Sequence, residues 1–161
     1  MEEGLGEKGF EGLASYQHGL RLFDAAYRLA ARLPTHERYN LTDQLRRSAL
    51  SVLLNIAEGY GRYHYLDKLR FFYIARGSLC ETLSGFIAAH QAGYIEDEQL
   101  AWVHTVEAET EKSLNGYISF IRKQQQGSAE YGHKLLHDDG PEYHISVLVD
   151  DKACDRADPV P

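Results

Sequence analysis

Proline is nearly missing from the body of this chain: there are four in 161 residues, and Pro34 is the only one before residue 141. The residue that removes a backbone donor and clashes with the preceding turn is thus kept out of the middle of the chain, so long helices are permitted there. Cysteine is scarcer still. Cys80 and Cys154 lie far apart with no CxxC spacing, which argues against a disulfide framework and predicts free thiols in a reducing compartment, the cytoplasm. Cys80 sits in an apolar helical run and is expected as a small core residue. No stretch approaches the roughly 18 to 20 apolar residues of a membrane span, and the acidic start Met1-Glu2-Glu3-Gly4 is unlike a signal peptide.

Catalytic words are missing too. There is no Gly-x-Ser-x-Gly, no phosphate-binding loop and no dinucleotide glycine word, each of which needs a specific backbone turn to place its chemistry. A di-metal bundle centre needs Glu-x-x-His pairs, and the chain has none; His104-x-x-Glu107 runs in the reverse order and stands alone. His133, His137 and His144 would need a helix and further ligands to hold zinc; no Cys or acidic residue has matching spacing, so they are read as solvated tail histidines. The expectation is a protein with no active site, no cofactor, no metal, no small-molecule substrate and no membrane contact.

What the chain does have is helical periodicity. Four segments repeat apolar residues at spacings of three and four, the pattern of a helix burying one stripe. The first places Tyr16, Leu20, Phe23, Tyr27 and Ala30 inward and ends at Pro34. The second has Asn40 as N-cap, with Leu41, Leu45, Ala49, Val52 and Ile56 inward and Gly59 and Gly61 at its end. The third runs from about Tyr65 to Gln91, with Leu69, Phe72, Ala75, Leu79, Leu83 and Phe86 inward and Gly93 as its stop. The fourth runs from about Glu96 to Gln126 on Leu100, Val103, Leu114, Tyr117 and Ile121, acidic in its first turn and basic in its last, as the helix dipole prefers. Short connections favour antiparallel neighbours. The fold class is therefore all-α: an up-down-up-down four-helix bundle over 13–126, after a flexible segment 1–12 and before an acidic tail 127–161. Within that tail Tyr143, Ile145, Val147 and Val149 alternate, a strand signal over 143–149.

Charge is unevenly spread. The formal charge is −7, but residues 127–161 hold eight acidic against three basic groups, and residues 21–76 hold ten basic against five acidic. Residues 81–111 carry seven acidic groups and neither Lys nor Arg. The candidates for meeting a phosphate backbone are Arg21, Arg28, Arg32, Arg38, Arg46, Arg47, Arg62 and Arg70. Asp24 with Arg28, Asp43 with Arg47 and Glu58 with Arg62 are i, i+4 pairs in the favourable order, which neutralises part of that set. Arg32, Arg38, Arg46 and Arg76 are expected to be free for another partner, either phosphate or the stacked Glu107 and Glu111 of a neighbouring copy.

A polar group is also expected beside the core. Asn55 and Glu58 flank Ile56 and need partners if half buried; Arg46, Arg47 or Arg76 are the candidates, in a network that fixes register or a subunit contact. Ser78 and Glu81 join that set. Gly77-Ser78 reads as close helix packing, with Gly making room for a neighbouring backbone and Ser bonding a carbonyl one turn back. Aromatics are abundant where the second helix passes to the third, at Tyr60, Tyr63, Tyr65, Phe71 and Tyr73. They cannot all face inward, so some are expected between subunits.

Several words in the middle of the chain point further: Leu41-Thr42-Asp43-Gln44-Leu45-Arg46-Arg47-Ser48, Asn55-Ile56-Ala57-Glu58-Gly59, Ile74-Ala75-Arg76-Gly77-Ser78-Leu79-Cys80-Glu81 and Ala92-Gly93-Tyr94-Ile95. Together they resemble the four-helix bundle family encoded in intervening sequences of bacterial large-subunit ribosomal RNA genes, over roughly residues 13 to 125. The resemblance implies a head-to-tail homo-oligomer, commonly a pentameric ring. It also implies kinship with the accessory protein of diversity-generating retroelements, whose ring binds a reverse transcriptase and nucleic acid. Two function classes follow: an oligomeric, non-enzymatic protein that meets RNA or DNA through its arginines, and a protein-interaction scaffold whose tail strand adds to a partner's sheet edge.

Overall fold

The computed structural model describes residues 9–128; the tail strand signal, His133, His137, His144 and Cys154 lie outside them. Four helices fill this span: α1 (Ala14–Arg32), α2 (Leu41–Gly61), α3 (Tyr65–Gln91) and α4 (Asp97–Gln124). Each packs on its sequence neighbours and α1 also packs on α4, which closes an all-α bundle. A 3-10 turn, Phe10–Gly12, precedes α1, with the Phe10 ring 5.0 Å from that of Tyr16.

Local chemistry sets the helix ends. Extended Leu33 ahead of Pro34 closes α1, as the residue before proline must leave the helical region. Asn40 does hold the N-cap position of α2, but its side chain is not the cap. The Glu37 carboxylate accepts the Leu41 N–H at 3.4 Å and the Asn40 side-chain amide at 3.1 Å. That carboxylate also accepts the Tyr94 hydroxyl at 3.1 Å, tying the α1–α2 connection to the α3–α4 connection. Gly93 adopts φ +76°, and the Tyr94 N–H reaches back to Ala89 O at 2.9 Å, a left-handed stop of the kind glycine permits. Glu96 opens α4 with a reciprocal capping box to Gln99.

The core is built from Leu22, Leu45, Ile56, Phe72, Leu79 and Leu114, all 1 % exposed or less. Phe72 meets the Tyr117 ring at 4.9 Å. Buried Thr82 and Thr110 donate to the carbonyls of Ser78 and Val106 at 2.8 and 2.7 Å, so neither hydroxyl is stranded. Close approach of α2 to α3 depends on two glycines. A Cβ on Gly59 would sit 2.8 Å from the Phe72 ring, and one on Gly85 would sit 2.7 Å from Leu45.

Three expectations change. In α1 the fully buried line is Ser15, Gly19, Leu22, Ala26, Leu29 and Ala30, while Tyr16, Leu20, Phe23 and Tyr27 are only half buried. The helix is turned by about one residue, roughly 100°, from the aromatic stripe, because small side chains let α1 approach α2: a Cβ on Gly19 would already lie 3.1 Å from Leu53. Gly77 is not a packing glycine; nothing lies within 4 Å of where its Cβ would be. Cys80 is exposed on the outside of α3, one position beyond buried Leu79.

Candidate interaction surfaces

The two apolar lines of α1 are buried to different depths. Leu22, Ala26 and Leu29 enter the core, whereas Tyr16 and Phe23 pack against it half buried, as half buried as Leu20 and as Tyr27, which borders α2. There α2 presents Leu50 and Leu54, which are 37 % and 59 % exposed. Exposed apolar surface on this side thus comes from Leu50 and Leu54, and Arg46 lies over the half-buried Tyr27 ring at 5.6 Å. Among the aromatics expected between subunits, Tyr65 is a core residue, Phe71 and Tyr73 are half buried, and Tyr60 and Tyr63 are exposed.

The arginines are spread around the bundle and not gathered on one face. The three helical ion pairs form: Arg28 to Asp24 at 2.9 Å, Arg47 to Asp43 at 3.5 Å, and Arg62 to Glu58. Arg21 reaches across to Glu109 of α4 at 2.6 Å and lies over Trp102 at 5.9 Å. Of those expected to be free, Arg38 rests on the Tyr39 ring and Arg46 on Tyr27. Arg76 lies over Tyr73 and donates to the Asn115 side chain at 3.2 Å. Arg32 lines the groove between α1 and α4 beside Trp102 and Phe86. Arg70 is exposed on α3.

The polar group beside the core is real but has other members. Asn55 donates to Ser51 O at 2.7 Å and to Ser51 Oγ at 3.0 Å, and Ser51 Oγ meets Ser78 Oγ at 2.8 Å. None of Arg46, Arg47 or Arg76 joins it, because each projects to another side of its helix; Glu58 is exposed and pairs with Arg62. Ser78 bonds across to α2 and not to its own helix one turn back. Glu81 accepts from Gln44 of α2. Ser51 was not singled out by sequence; its place four residues before Asn55 was the available signal.

On the α3–α4 side, Glu107 and Glu111 are half buried and form no ion pair among the described residues. Burial, then the Glu111 charge, pushes the Glu107 carboxyl above the usual carboxylate range, with His104 acting in the opposite sense. Burial, then Glu107 and Glu111, also pushes the Cys80 thiol up, away from the reactive thiolate. No group of three or more His, Cys, Asp or Glu residues able to hold a metal ion occurs among the described residues, and no helix there is long and apolar enough to cross a membrane.

A model of the 23S rRNA-intervening sequence protein family matches residues 11–116, from the 3-10 turn to the last third of α4. The chain belongs to that family. The match takes in every word quoted for the resemblance, both apolar lines of α1, and Leu50 and Leu54. For the 23S rRNA-intervening sequence protein family the Asn55–Ser51–Ser78 bridge thus lies in the matched region, as do all eight candidate arginines. No curated protein matches the chain.

Proposed function

We propose that this family member is a non-catalytic bundle that works as an assembly of its own copies, with the outer face of α1 and α2 as the contact. The observation that carries this reading is the exposure of Leu50 and Leu54 on α2, 37 % and 59 %. α2 already buries one stripe in the core, and apolar side chains exposed outside that stripe suit an interaction site. Charge supports a head-to-tail arrangement. Arg46 on α2 complements Glu107 and Glu111 on the α3–α4 side of the next copy, where two half-buried carboxylates form no ion pair among the described residues.

A second reading, contact with nucleic acid by such an assembly, is favoured by one end of the bundle. Arg62, Lys68 and Arg70 lie there near exposed Tyr60 and Tyr63, and the Tyr65 N–H bonds Gln126 O at 3.0 Å, so Lys123 of α4 is at the same end. Cations interleaved with exposed rings suit a single strand, by phosphate contact and base stacking. Sedimentation velocity at micromolar concentration tests the first reading, on the full chain and on one ending at Ser128. Multi-copy mass is expected, reduced to one copy by Leu54→Asp; one-copy mass for both chains overturns it. Anisotropy of a labelled single strand across a salt series tests the second. Binding that Arg62→Ala and Arg70→Ala weaken, with a salt slope about one unit shallower per lost contact, is expected.

A further inference from the structure

At the end of the bundle where α1 stops and α4 begins, the two helices leave a groove of about 460 Å3 between them. Buried Leu29, Phe86, Ile95 and Val103 form its floor, and Trp102, 43 % exposed, stands as its wall. We infer that this groove binds a free amino acid with an aromatic side chain, its carboxylate on Arg32, its ammonium on Glu98 and its ring against Trp102. Neither Leu50 nor Leu54 lines the groove, so the site does not depend on the assembly reading.

Size and charge together select that class. The volume falls in the range of roughly 300 to 1,000 Å3 typical of small-ligand sites, which are mostly apolar with a few placed polar groups. An exposed tryptophan beside an apolar floor offers a ring a contact surface in place of water. Arg21, paired with Glu109 at 2.6 Å, lies 5.9 Å from the centre of the Trp102 ring and restrains it, which lowers the ordering cost of binding. The two lips of the groove carry opposite charge. On the α1 side Arg28 is neutralised by Asp24 at 2.9 Å, and Arg32 remains as a cation with no ion pair among the described residues. On the α4 side Glu98 is a carboxylate in the same condition. The two charges thus line one groove without closing on each other. Helix dipoles account for a cation in the last turn of α1 and an anion in the first turn of α4, but not for the apolar floor left open between them. A plain anion would meet Arg32 with Glu98 opposing it, and a plain cation would meet the converse. A zwitterion complements both lips. An apolar body with both charges at one end is an amino acid with a large apolar side chain, and the flat Trp102 wall favours a ring over an aliphatic chain.

The chain supplies its own probe, because Trp102 is its single tryptophan and phenylalanine does not absorb where tryptophan is excited. Titrating the full chain with L-phenylalanine should change the tryptophan emission saturably, with a dissociation constant of about 1 mM or below. Hydrocinnamate, which lacks the ammonium, and phenethylamine, which lacks the carboxylate, should each bind about threefold to tenfold more weakly; glycine, which lacks the ring, should give no change. Arg32→Gln should weaken L-phenylalanine by the same factor and leave phenethylamine unaffected, whereas Glu98→Gln should weaken L-phenylalanine and leave hydrocinnamate unaffected. Both side chains are exposed, so the variants are expected to melt as the parent does. The absence of a saturable change, equal responses to all three ring compounds, or binding unaltered in both variants overturns the inference. Emission that moves with protein concentration while L-phenylalanine does nothing also overturns it, since a second copy would then occupy the groove.

Discussion

The outer faces of the two helical hairpins solve opposite problems. Between α1 and α2 the surface exposes Leu50 and Leu54, with Arg47 paired to Asp43 and Arg46 lying over the Tyr27 ring without a carboxylate of its own among the described ion pairs. Between α3 and α4 the surface carries half-buried Glu107 and Glu111 with no ion pair among the described residues. Among the described residues, exposed Leu50 and Leu54 on one side and carboxylates without an ion pair on the other are complementary features. The core itself draws on both hairpins, with more of its residues from α3 and α4 than from α1 and α2.

That separation of outer face from core breaks most visibly at Phe72. Phe72→Ala should destabilise the chain by about 3–5 kcal/mol, whereas Leu54→Ala in the chain ending at Ser128 should change it by under about 0.5 kcal/mol. Denaturant unfolding of both measures this, and equal losses would mean that the α1–α2 face is part of the fold. The α2–α3 seam offers the next test. Gly59→Ala forces a methyl against the Phe72 ring and should cost about 1–3 kcal/mol. Gly77→Ala meets nothing, and it should stabilise by roughly 0.5–1 kcal/mol through helix propensity alone. Opposite signs for two glycine-to-alanine changes on the facing helices would confirm which helix surfaces are in contact.

The smallest expected effect lies on the acidic side. Because Glu107 is raised, its folded state favours the protonated form, so it opposes stability once pH rises above the ordinary glutamate range of about 4.3. Glu107→Gln should therefore raise the melting temperature slightly at pH 7, with the difference closing below about pH 4. A constant difference across that range, in thermal melts from pH 3 to 8, would place the effect in packing and not in charge.

Sequence reasoning located the helices well because their ends are local events. Pro34, Gly61, Gly93 and the Glu96–Gln99 box each act within a few residues, and the three i, i+4 ion pairs follow from helical spacing once a helix exists. The Glu37 cap was not legible, since Asn40 occupies the position that usually supplies the bond. The arginine set was legible as a composition but not as a surface. A run of basic residues along a chain of antiparallel helices is dealt out to several sides of the bundle, and Arg21 finds Glu109 only through tertiary packing.

By itself, then, the sequence determined that there are four helices and where they stop. Which of the two α1 lines turns inward was decided by the tertiary structure alone. Periodicity gives the angle between residues on a helix but no zero for that angle when two stripes coexist. Here the zero is set by how closely α1 can approach α2, and the small line of Gly19, Ala26 and Ala30 allows an approach that four bulky side chains would prevent. The same criterion placed Cys80 outward and left Gly77 without a neighbour, while Gly59 and Gly85 were pressed against Phe72 and Leu45.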